Sequence, residues 1–435
     1  MSDAGLAAAV AKMRGADVEP TAIASFVRFY NMLEQGGSGT ISEDAIAPLT
    51  DVPSLHSLAA HADSQAAAEA IRRTVVVKLN GGLGTSMGLD GPKTLLQARE
   101  GHTFLEIILL QVEAARARYD ARLPLVFMNS FRTRADTLEF LSAHGFLSGG
   151  NAPSDFLQSA EPKLFVDTLE PAKWPSDPEL EWCPPGHGEV YSALSSAGLI
   201  DSWLRDGFEH VFISNSDNLG ASPSAELAGA FAASGAPFAM EVARRTTNDR
   251  KGGHVATRIA DGRLVLRESA QTAPEDLEAF ADETKHAYFN TNSLWLRLDA
   301  LRDVLQATDG TLELPLIRNQ KPVDPSDPTT PQVYQLECAM GAAIELFDDS
   351  IAIDVGRKRF MPVKTTNELL LLRSDCYELN PDDWTLTQLC PRLPEVHLDE
   401  RYYKLVTDFD ARFQSIPPLA GRDTFTVEGD QYFTA

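Results

Sequence analysis

An α/β sheet with helices on both faces is the fold this sequence predicts, and three observations predict it. Short β-branched apolar runs alternate with helical stretches from Thr74 onward. One such run, Val75–Val77, feeds into a loop rich in glycine, the usual way a sheet strand delivers bare backbone to a ligand. Several polar clusters then follow strand ends, where ligands bind in sheets of this kind.

Residues 1–70 read as a helical, alanine-rich N-terminal region. Phe26, Val27, Phe29, Tyr30 and Leu33 recur at helical spacing, and Gly36-Gly-Ser-Gly39 ends that helix. A second helix is expected through the fifties and sixties. Residues 71–377 carry the alternation and form the expected catalytic domain. Strands are predicted at Thr74–Leu79, Leu123–Met128, His210–Ser214, Pro237–Ala243, Arg263–Glu268, Ala287–Leu298, Ile351–Asp354 and Phe360–Val363. Helices are predicted at Thr103–Tyr119, Ala135–His144, Val190–Asp206 and Ser224–Ala233. In residues 378–435 prolines break the pattern, leaving a linker, a helix over Tyr402–Phe413 and a short β stub.

A chain of 435 residues with 43% hydrophobic content can bury a sizeable core. Its formal charge of −24 provides no general surface for counterion release, which excludes non-specific nucleic-acid binding and disfavours an anionic membrane surface. An acidic protein that binds a polyanion must gather its cations locally. Cys183, Cys338, Cys376 and Cys390 form no C-x-x-C pair and no zinc spacing, so free thiols in a reducing cytoplasm are expected. No secretory leader and no run of membrane-spanning length is read in the sequence.

The loop runs Leu79-Asn-Gly-Gly-Leu-Gly-Thr-Ser-Met-Gly88 and closes on Gly91-Pro-Lys93. Backbone N–H groups bared by glycine can meet phosphate oxygens, and Lys93 adds a mobile point charge. This reads as a triphosphate cradle. It is not a dinucleotide fingerprint, because Gly88 falls one position too late after Gly82-Leu-Gly84. It is not a Walker loop, because no Gly-Lys dipeptide occurs in the chain. Gly84-Thr-Ser-Met-Gly88 fits the nucleophile elbow of serine hydrolases, but that elbow needs its serine right at a strand end, and only His397 falls late enough to complete a triad. The plainest alternative is a glycine-rich surface turn.

Five further clusters are candidates for chemistry. Pro184-Pro-Gly-His-Gly188 is a rigid approach to bare backbone, with His187 held between glycines; lone histidines are otherwise mostly structural. Ser214-Asn-Ser-Asp-Asn218 ends a strand on a carboxylate flanked by amides. Asp217 suits Mg²⁺, which takes one or two carboxylates plus phosphate oxygens, and Asn215 suits a sugar hydroxyl; the competing reading is an Asx turn. Asn290-Thr-Asn292 offers uncharged groups that orient sugar hydroxyls. Lys364 precedes a helix start and faces an anion there, or else is an ordinary surface lysine. Arg357-Lys-Arg359 is a local basic run, either attracting phosphates or a solvated edge.

In this order, with Lys251-Gly-Gly253, Gln335-Leu-Glu337, Gly341-Ala-Ala343 and Val363-Lys-Thr-Thr366, these motifs closely resemble the eukaryotic-type UTP–glucose-1-phosphate uridylyltransferases from about Phe26 to about Gly429. The resemblance implies a mixed, Rossmann-like nucleotidyltransferase sheet. It implies that Leu79, Asn80, Gly81 and Gly82 line the nucleotide, that Lys93 contacts the triphosphate, and that Gln158, with the backbone of Gly186, reads uracil. His187 and Asn215 would contact the sugar phosphate, Asn292 the glucose hydroxyls, Asp217 the metal and nucleotide, and Lys364 the phosphates at the reacting centre. Lys93 and Lys364 are the expected catalytic groups and Mg²⁺ the expected cofactor.

Two departures from the family pattern stand out. Ser159-Ala-Glu-Pro162 replaces Ser-Arg-Tyr-Pro, which puts a negative charge where relatives carry a positive one. The chain also stops soon after Val427-Glu-Gly-Asp430, so the C-terminal β-helix of eukaryotic relatives is expected to be missing or truncated. Ser86-Met87 in the loop, in place of Arg-Leu, favours the glucose branch over the N-acetylhexosamine branch. The expected reaction is uridylyl transfer from UTP to glucose 1-phosphate, in the cytoplasm, by a monomer or weak homo-oligomer without nucleic-acid or membrane partners. A broader UDP-sugar pyrophosphorylase and a non-catalytic UDP-sugar-binding protein are the alternatives.

Overall fold

The computed structural model describes residues 2–36, 39–59, 63–146, 148–149, 152–246, 249–250 and 252–434. Gly37 and Ser38 of the predicted helix stop, and Lys251 of the Lys-Gly-Gly motif, lie outside them. The fold is mixed α/β, and the chain divides into two compact units. One comprises Met1–Ala60, Phe156–Phe212 and Phe231–Asp354; the other comprises His61–Asp155, Ile213–Ala230 and Val355–Ala435.

In the first unit, strand Phe238–Arg244 pairs antiparallel with Tyr288–Arg297 and parallel with Ile351–Asp354. His254–Arg258 pairs antiparallel with Ile46–Pro48 and with Leu264–Arg267, and touches the long strand where His254 faces Phe289. Apolar residues of these strands form buried core, among them Val242, Ile353, Leu294, Trp295 and Leu296. The register of the long pair slips between Glu241 and Val242, so Thr291 and Asn292 form a bulge in which Asn292 adopts φ 56°. Bulges re-aim side chains, and asparagine is among the residues that tolerate this left-handed backbone.

Helices Ser2–Gly15 and Pro20–Glu34 belong to this unit. The second starts on Pro20, whose missing N–H costs nothing there, and buries Phe26, Phe29, Tyr30 and Leu33 as its spacing predicts. A buried charge cluster ties residue 43 to residues far along the chain. Arg267, fully buried, donates to Glu43 and to Asp276 Oδ2 (2.8 Å), while His286 Nε2 and Lys285 Nζ lie 2.9 and 2.6 Å from Glu43 Oε1. Burial alone would raise the Glu43 pKa, but bonds from Lys285, His286 and Arg267 outweigh it and bring it down to about 2. Because the folded-state value is depressed, this stabilisation is complete above the unfolded carboxylate range and is lost as pH falls toward 2. Glu43→Gln should cost about 3–5 kcal/mol at neutral pH by leaving Arg267 under-compensated. In urea unfolding, the gap between variant and native protein should narrow on acidification to about pH 3.

In the second unit, Thr74–Asn80 pairs parallel with Leu125–Asn129, and every residue of both strands is buried. Continuous burial explains why both read as largely apolar runs, with Lys78 the charged exception in the first. The end of His210–Asn215 lies beside the first of these, with the Ser216 N–H donating to Leu79 O (3.1 Å). Helix Phe104–Tyr119 begins on a capping box, Thr103 with Glu106. Near the chain's end Glu395–Leu398 pairs parallel with Thr424–Val427.

Most predicted elements appear within a residue or two of their expected bounds. Two differ. Val190–Asp206 is two helices, Val190–Ser196 and Leu199–Arg205, broken at Gly198 with φ 65°. Phe360–Val363 is not a strand: it leaves a 3₁₀ turn at Arg357–Arg359 and makes only an isolated bridge, Pro362 opposite Asn218. The helix expected over Tyr402–Phe413 is likewise split into Glu400–Tyr403 and Val406–Arg412. All four cysteines are free and buried. Among the described residues no helix is long and apolar enough to cross a membrane.

Candidate active site

The second unit gathers Lys93, Asp217 and Lys364. The glycine loop leaves the sheet after Asn80, and its ends are drawn together where Leu83 bridges Pro92 and the Lys93 N–H donates to Gly82 O (3.3 Å). The floor beneath is a buried polar network. Asn80 Nδ2 donates to Asn129 Oδ1 (2.8 Å) and Thr137 Oγ1 (2.9 Å), and Thr94 Oγ1 donates to Asn80 Oδ1 (2.7 Å). The Asn80 side chain therefore anchors the turn that carries Lys93 and offers a ligand only its main chain. Lys93 Nζ meets Asp217 Oδ2 at 2.9 Å.

Asp217 is held from both sides. Lys78, buried in the strand, donates to Ser214 Oγ (2.8 Å) and Ala221 O (2.7 Å), fixing the turn between them. The segment after Arg359 runs antiparallel to that turn. Asn218 Nδ2 donates to Arg359 O (3.0 Å), Met361 N–H donates to Asn218 Oδ1 (2.9 Å), and Val363 N–H donates to Asp217 O (3.3 Å). Gly220 is required here, since a Cβ would lie 2.7 Å from Arg359 O. The next residue, Lys364, is exposed and immediately precedes Thr365, the N-cap of helix Thr366–Arg373. Asn215 closes the same strand, half-buried.

The first unit gathers Gln158, Gly186, His187 and Asn292. Gln158 is buried, and its Nε2 donates to Gly186 O (2.7 Å). A carbonyl can only accept, so the amide is oriented with Oε1 as its remaining acceptor. Gly186 has φ 85° and ψ 166°, and a Cβ there would lie 2.6 Å from Cys338 O and 2.7 Å from Cys338 N. The glycines of this motif thus answer to Cys338, which pairs with Pro185 O (3.1 Å) and Gly188 N (2.9 Å), as well as to any ligand. Met340 N–H donates to His187 Nδ1 (3.0 Å), so the neutral ring carries its proton on Nε2. Burial brings the His187 pKa down to about 4. Met340 leads into Gly341, where a Cβ would lie 2.6 Å from Asn290 Nδ2, and Asn290 in turn donates to Asn292 Oδ1 (2.9 Å).

The chain is similar to known proteins along most of its length. A family profile described as UTP–glucose-1-phosphate uridylyltransferase matches residues 23–435. The Solanum tuberosum enzyme of that name is 36% identical over 397 residues, covering 90% of this chain and 78% of its own. The chain belongs to the UTP–glucose-1-phosphate uridylyltransferase family. Two solved structures extend the likeness to the fold. The UDP-glucose phosphorylase of Trypanosoma brucei superposes with a TM-score of 0.90 at 40% identity, covering 97% of this chain and 91% of its own. A point mutant of the Leishmania major UDP-glucose pyrophosphorylase, solved in complex with UDP-glucose, gives 0.89 at 41%, covering 97% and 90%.

The electrostatics of the first unit's cluster depart from the sequence expectation. Glu161, expected to carry a negative charge, is 2% exposed, and burial, with Glu189 and Glu337 nearby, pushes its carboxyl well above the usual range. The serine-hydrolase reading finds no support in backbone placement. Ser86 sits in the 3₁₀ turn Thr85–Met87, past the glycines and away from the strand end, while His397 is 62% exposed. Among the described residues no three His, Cys, Asp or Glu could together hold a metal. Asp217 alone fits the Mg²⁺ habit of taking one carboxylate and filling its shell from phosphate and water.

Sequence reasoning missed Glu189, whose Oε2 accepts from Ser159 N (2.9 Å) beside Gln158. An acid at a helix start usually reads as a solvated partner of the helix dipole, and that masks the buried role. It also missed the inward turn of Asn80, because its partners lie up to 57 residues away. As a functional check, the His187 ring resonances should stay in the Nε2–H form between about pH 8 and pH 5.5 in an NMR titration. A His187 that gains a proton within that window would contradict its burial.

Proposed function

We propose that this chain transfers the uridylyl group of UTP to glucose 1-phosphate, giving UDP-glucose and pyrophosphate. The observation that carries the reading is the contact of Lys93, which closes the glycine loop, with Asp217, whose main chain is bonded to the residue before Lys364, in a chain of the uridylyltransferase family. A phosphate oxygen of the sugar phosphate attacks the α-phosphorus in line. The new O–P bond forms as the bond from the α-phosphorus to pyrophosphate breaks. The nucleophile is already an anion, so no general base is needed; the barrier is repulsion between two polyanions.

The chain's residues meet that barrier with position and charge. Lys93 contacts the triphosphate, the Gly81–Gly82 main chain donates N–H groups to it, and Lys364 neutralises charge at the reacting centre. Asp217, with Asn215 beside it, is the residue that would hold Mg²⁺, whose chemistry when bound is charge neutralisation on the phosphates. Gln158 presents Oε1 to the uracil N3–H. The same acceptor opposes the lone pair at cytosine N3, which gives a physical basis for choosing uridine. His187, neutral, donates through Nε2–H to the sugar phosphate, and Asn292, aimed by its bulge, takes glucose hydroxyls. A cytoplasmic location and a monomeric or weakly associating state belong to this proposal, and the four free buried thiols accord with a reducing compartment.

The test is pyrophosphate release from UTP with glucose 1-phosphate, repeated with CTP and with galactose and N-acetylglucosamine 1-phosphates. UTP and glucose 1-phosphate should give the highest kcat/KM. Equal rates across the sugars would point to a broader UDP-sugar pyrophosphorylase, and no release with any pair would sink the enzyme reading.

A further inference from the structure

We propose that Glu189 is a positioning residue for the base-reading amide of Gln158, acting through the backbone of Ser159, and that uridine-nucleotide binding tightens as Glu189 loses its proton. The inference rests on Gln158 reading uracil, as proposed above.

The geometry is a short relay. Gln158 has its side chain fixed on Gly186 O, and its main chain continues into Ser159. The Ser159 N–H donates to Glu189 Oε2 at 2.9 Å, and the Ser159 side chain bonds the same carboxyl. Glu189 therefore ties the 158–159 segment to the 186–189 turn, the two pieces whose separation sets where Oε1 of Gln158 stands. Glu189 is 6% exposed. Beside it lies a small cavity of about 20 Å³ lined by Ser159, Ala160, Glu161, Glu189 and Cys338, so the packing leaves the carboxyl room to shift.

The surroundings put the change of charge in the working range. Burial raises the Glu189 pKa to about 7, with Ser159 opposing the rise. Burial pushes the carboxyl of Glu161, on its own short strand, the Cys338 thiol and the Tyr191 phenol upward. Arg28, from helix Pro20–Glu34, keeps its charge, and Glu337 is the remaining carboxylate of this layer. His187 titrates well below, at about 4. An ionised carboxylate makes a charge-assisted bond to the Ser159 N–H, and protonation weakens that bond.

The sign of the effect separates positioning from plain charge. A buried negative charge near an anionic ligand would weaken binding as it ionises. A tether that tightens on ionisation does the opposite. Stability runs against binding, too. The folded state holds the Glu189 proton more firmly than the unfolded chain does, so folding stability falls as pH rises from about 4.5 to about 7.

The experiment is calorimetric binding of UDP-glucose to the full chain between about pH 5.5 and pH 8.5. Its diphosphate is esterified at both ends, so each phosphorus carries a single strongly acidic hydroxyl that stays ionised throughout, and the phosphates do not titrate. Native protein should bind roughly 3–10-fold more tightly at the upper end. Glu189→Gln, which keeps a neutral acceptor, should hold near the weaker value with no pH dependence and should gain thermal stability relative to native protein as pH rises. Ser159→Ala should keep the dependence but move its midpoint upward. A flat or inverted profile in native protein, a dependence retained in Glu189→Gln, or an unmoved midpoint in Ser159→Ala would each overturn the proposal. Native protein and Ser159→Ala keep it testable should Glu189→Gln not fold. Gln158→Ala separates the two layers of inference: native-like affinity in that variant would remove the uracil assignment itself, whatever Glu189 does.

Discussion

Replacing Lys364 by alanine should lower turnover by about 10²–10³-fold while KM for UTP moves only a few-fold. Lys364 follows Val363, whose N–H is bonded to Asp217 O, so its stem is anchored to the turn that carries the carboxylate. The ammonium itself is exposed and forms no ion pair with the described residues, which suits a group that meets charge developing during the reaction. Lys93 already has a partner in Asp217 and so contributes more to binding. Steady-state kinetics with the pyrophosphate assay separates the two roles. Turnover within a factor of about three of native would remove Lys364 from the chemistry. Lys364→Arg should restore little, because a planar fork does not reproduce a compact point charge.

Gly186→Ala should be the most damaging single methyl in the first unit. Its φ of 85° and ψ of 166° lie in a region reserved for glycine. The added Cβ would fall 2.6 Å from Cys338 O and 2.7 Å from Cys338 N, and neither backbone atom can swing aside. The pairing between 185–188 and Cys338 would have to open, taking with it the carbonyl that orients Gln158. A loss of about 3–5 kcal/mol is expected, seen as a fall of roughly 6–15 °C in Tm. Base selectivity should fall with it. Circular dichroism melting and the UTP-to-CTP ratio of kcat/KM measure both, and an unshifted Tm would mean the junction is looser than its geometry implies.

Much of this was legible in the sequence because local chemistry dictated it. A strand followed by glycines and Pro-Lys marked the loop that closes on Lys93, and a polar run at a strand end marked the turn that carries Asp217. The same signals could not show register or long-range partners. Strands His254–Arg258 and Gln332–Glu337 went unrecognised because their apolar and polar residues give only a weak alternation. Gly198 was read through as helix, although φ of 65° ends one helix and starts the next. Phe360–Val363 looked like a strand for its apolar character, but it bridges only a turn. Glu43 and Glu189 drew no reading from the sequence, and Glu161 read as a local negative charge. Their burial depends on partners brought in by folding, which no local window contains.

The contact between Lys93 and Asp217 at 2.9 Å has a bearing on how affinity should respond to salt. A lysine waiting in open solvent would gain a whole new ion pair from an arriving phosphate, and added electrolyte would erode that gain. Here the cation already owns an anion, so an incoming nucleotide brings an exchange of counter-charges. Electrolyte weakens the old pair and the new one together. Substrate capture should therefore be less sensitive to ionic strength than two lysines in a chain of charge −24 would suggest.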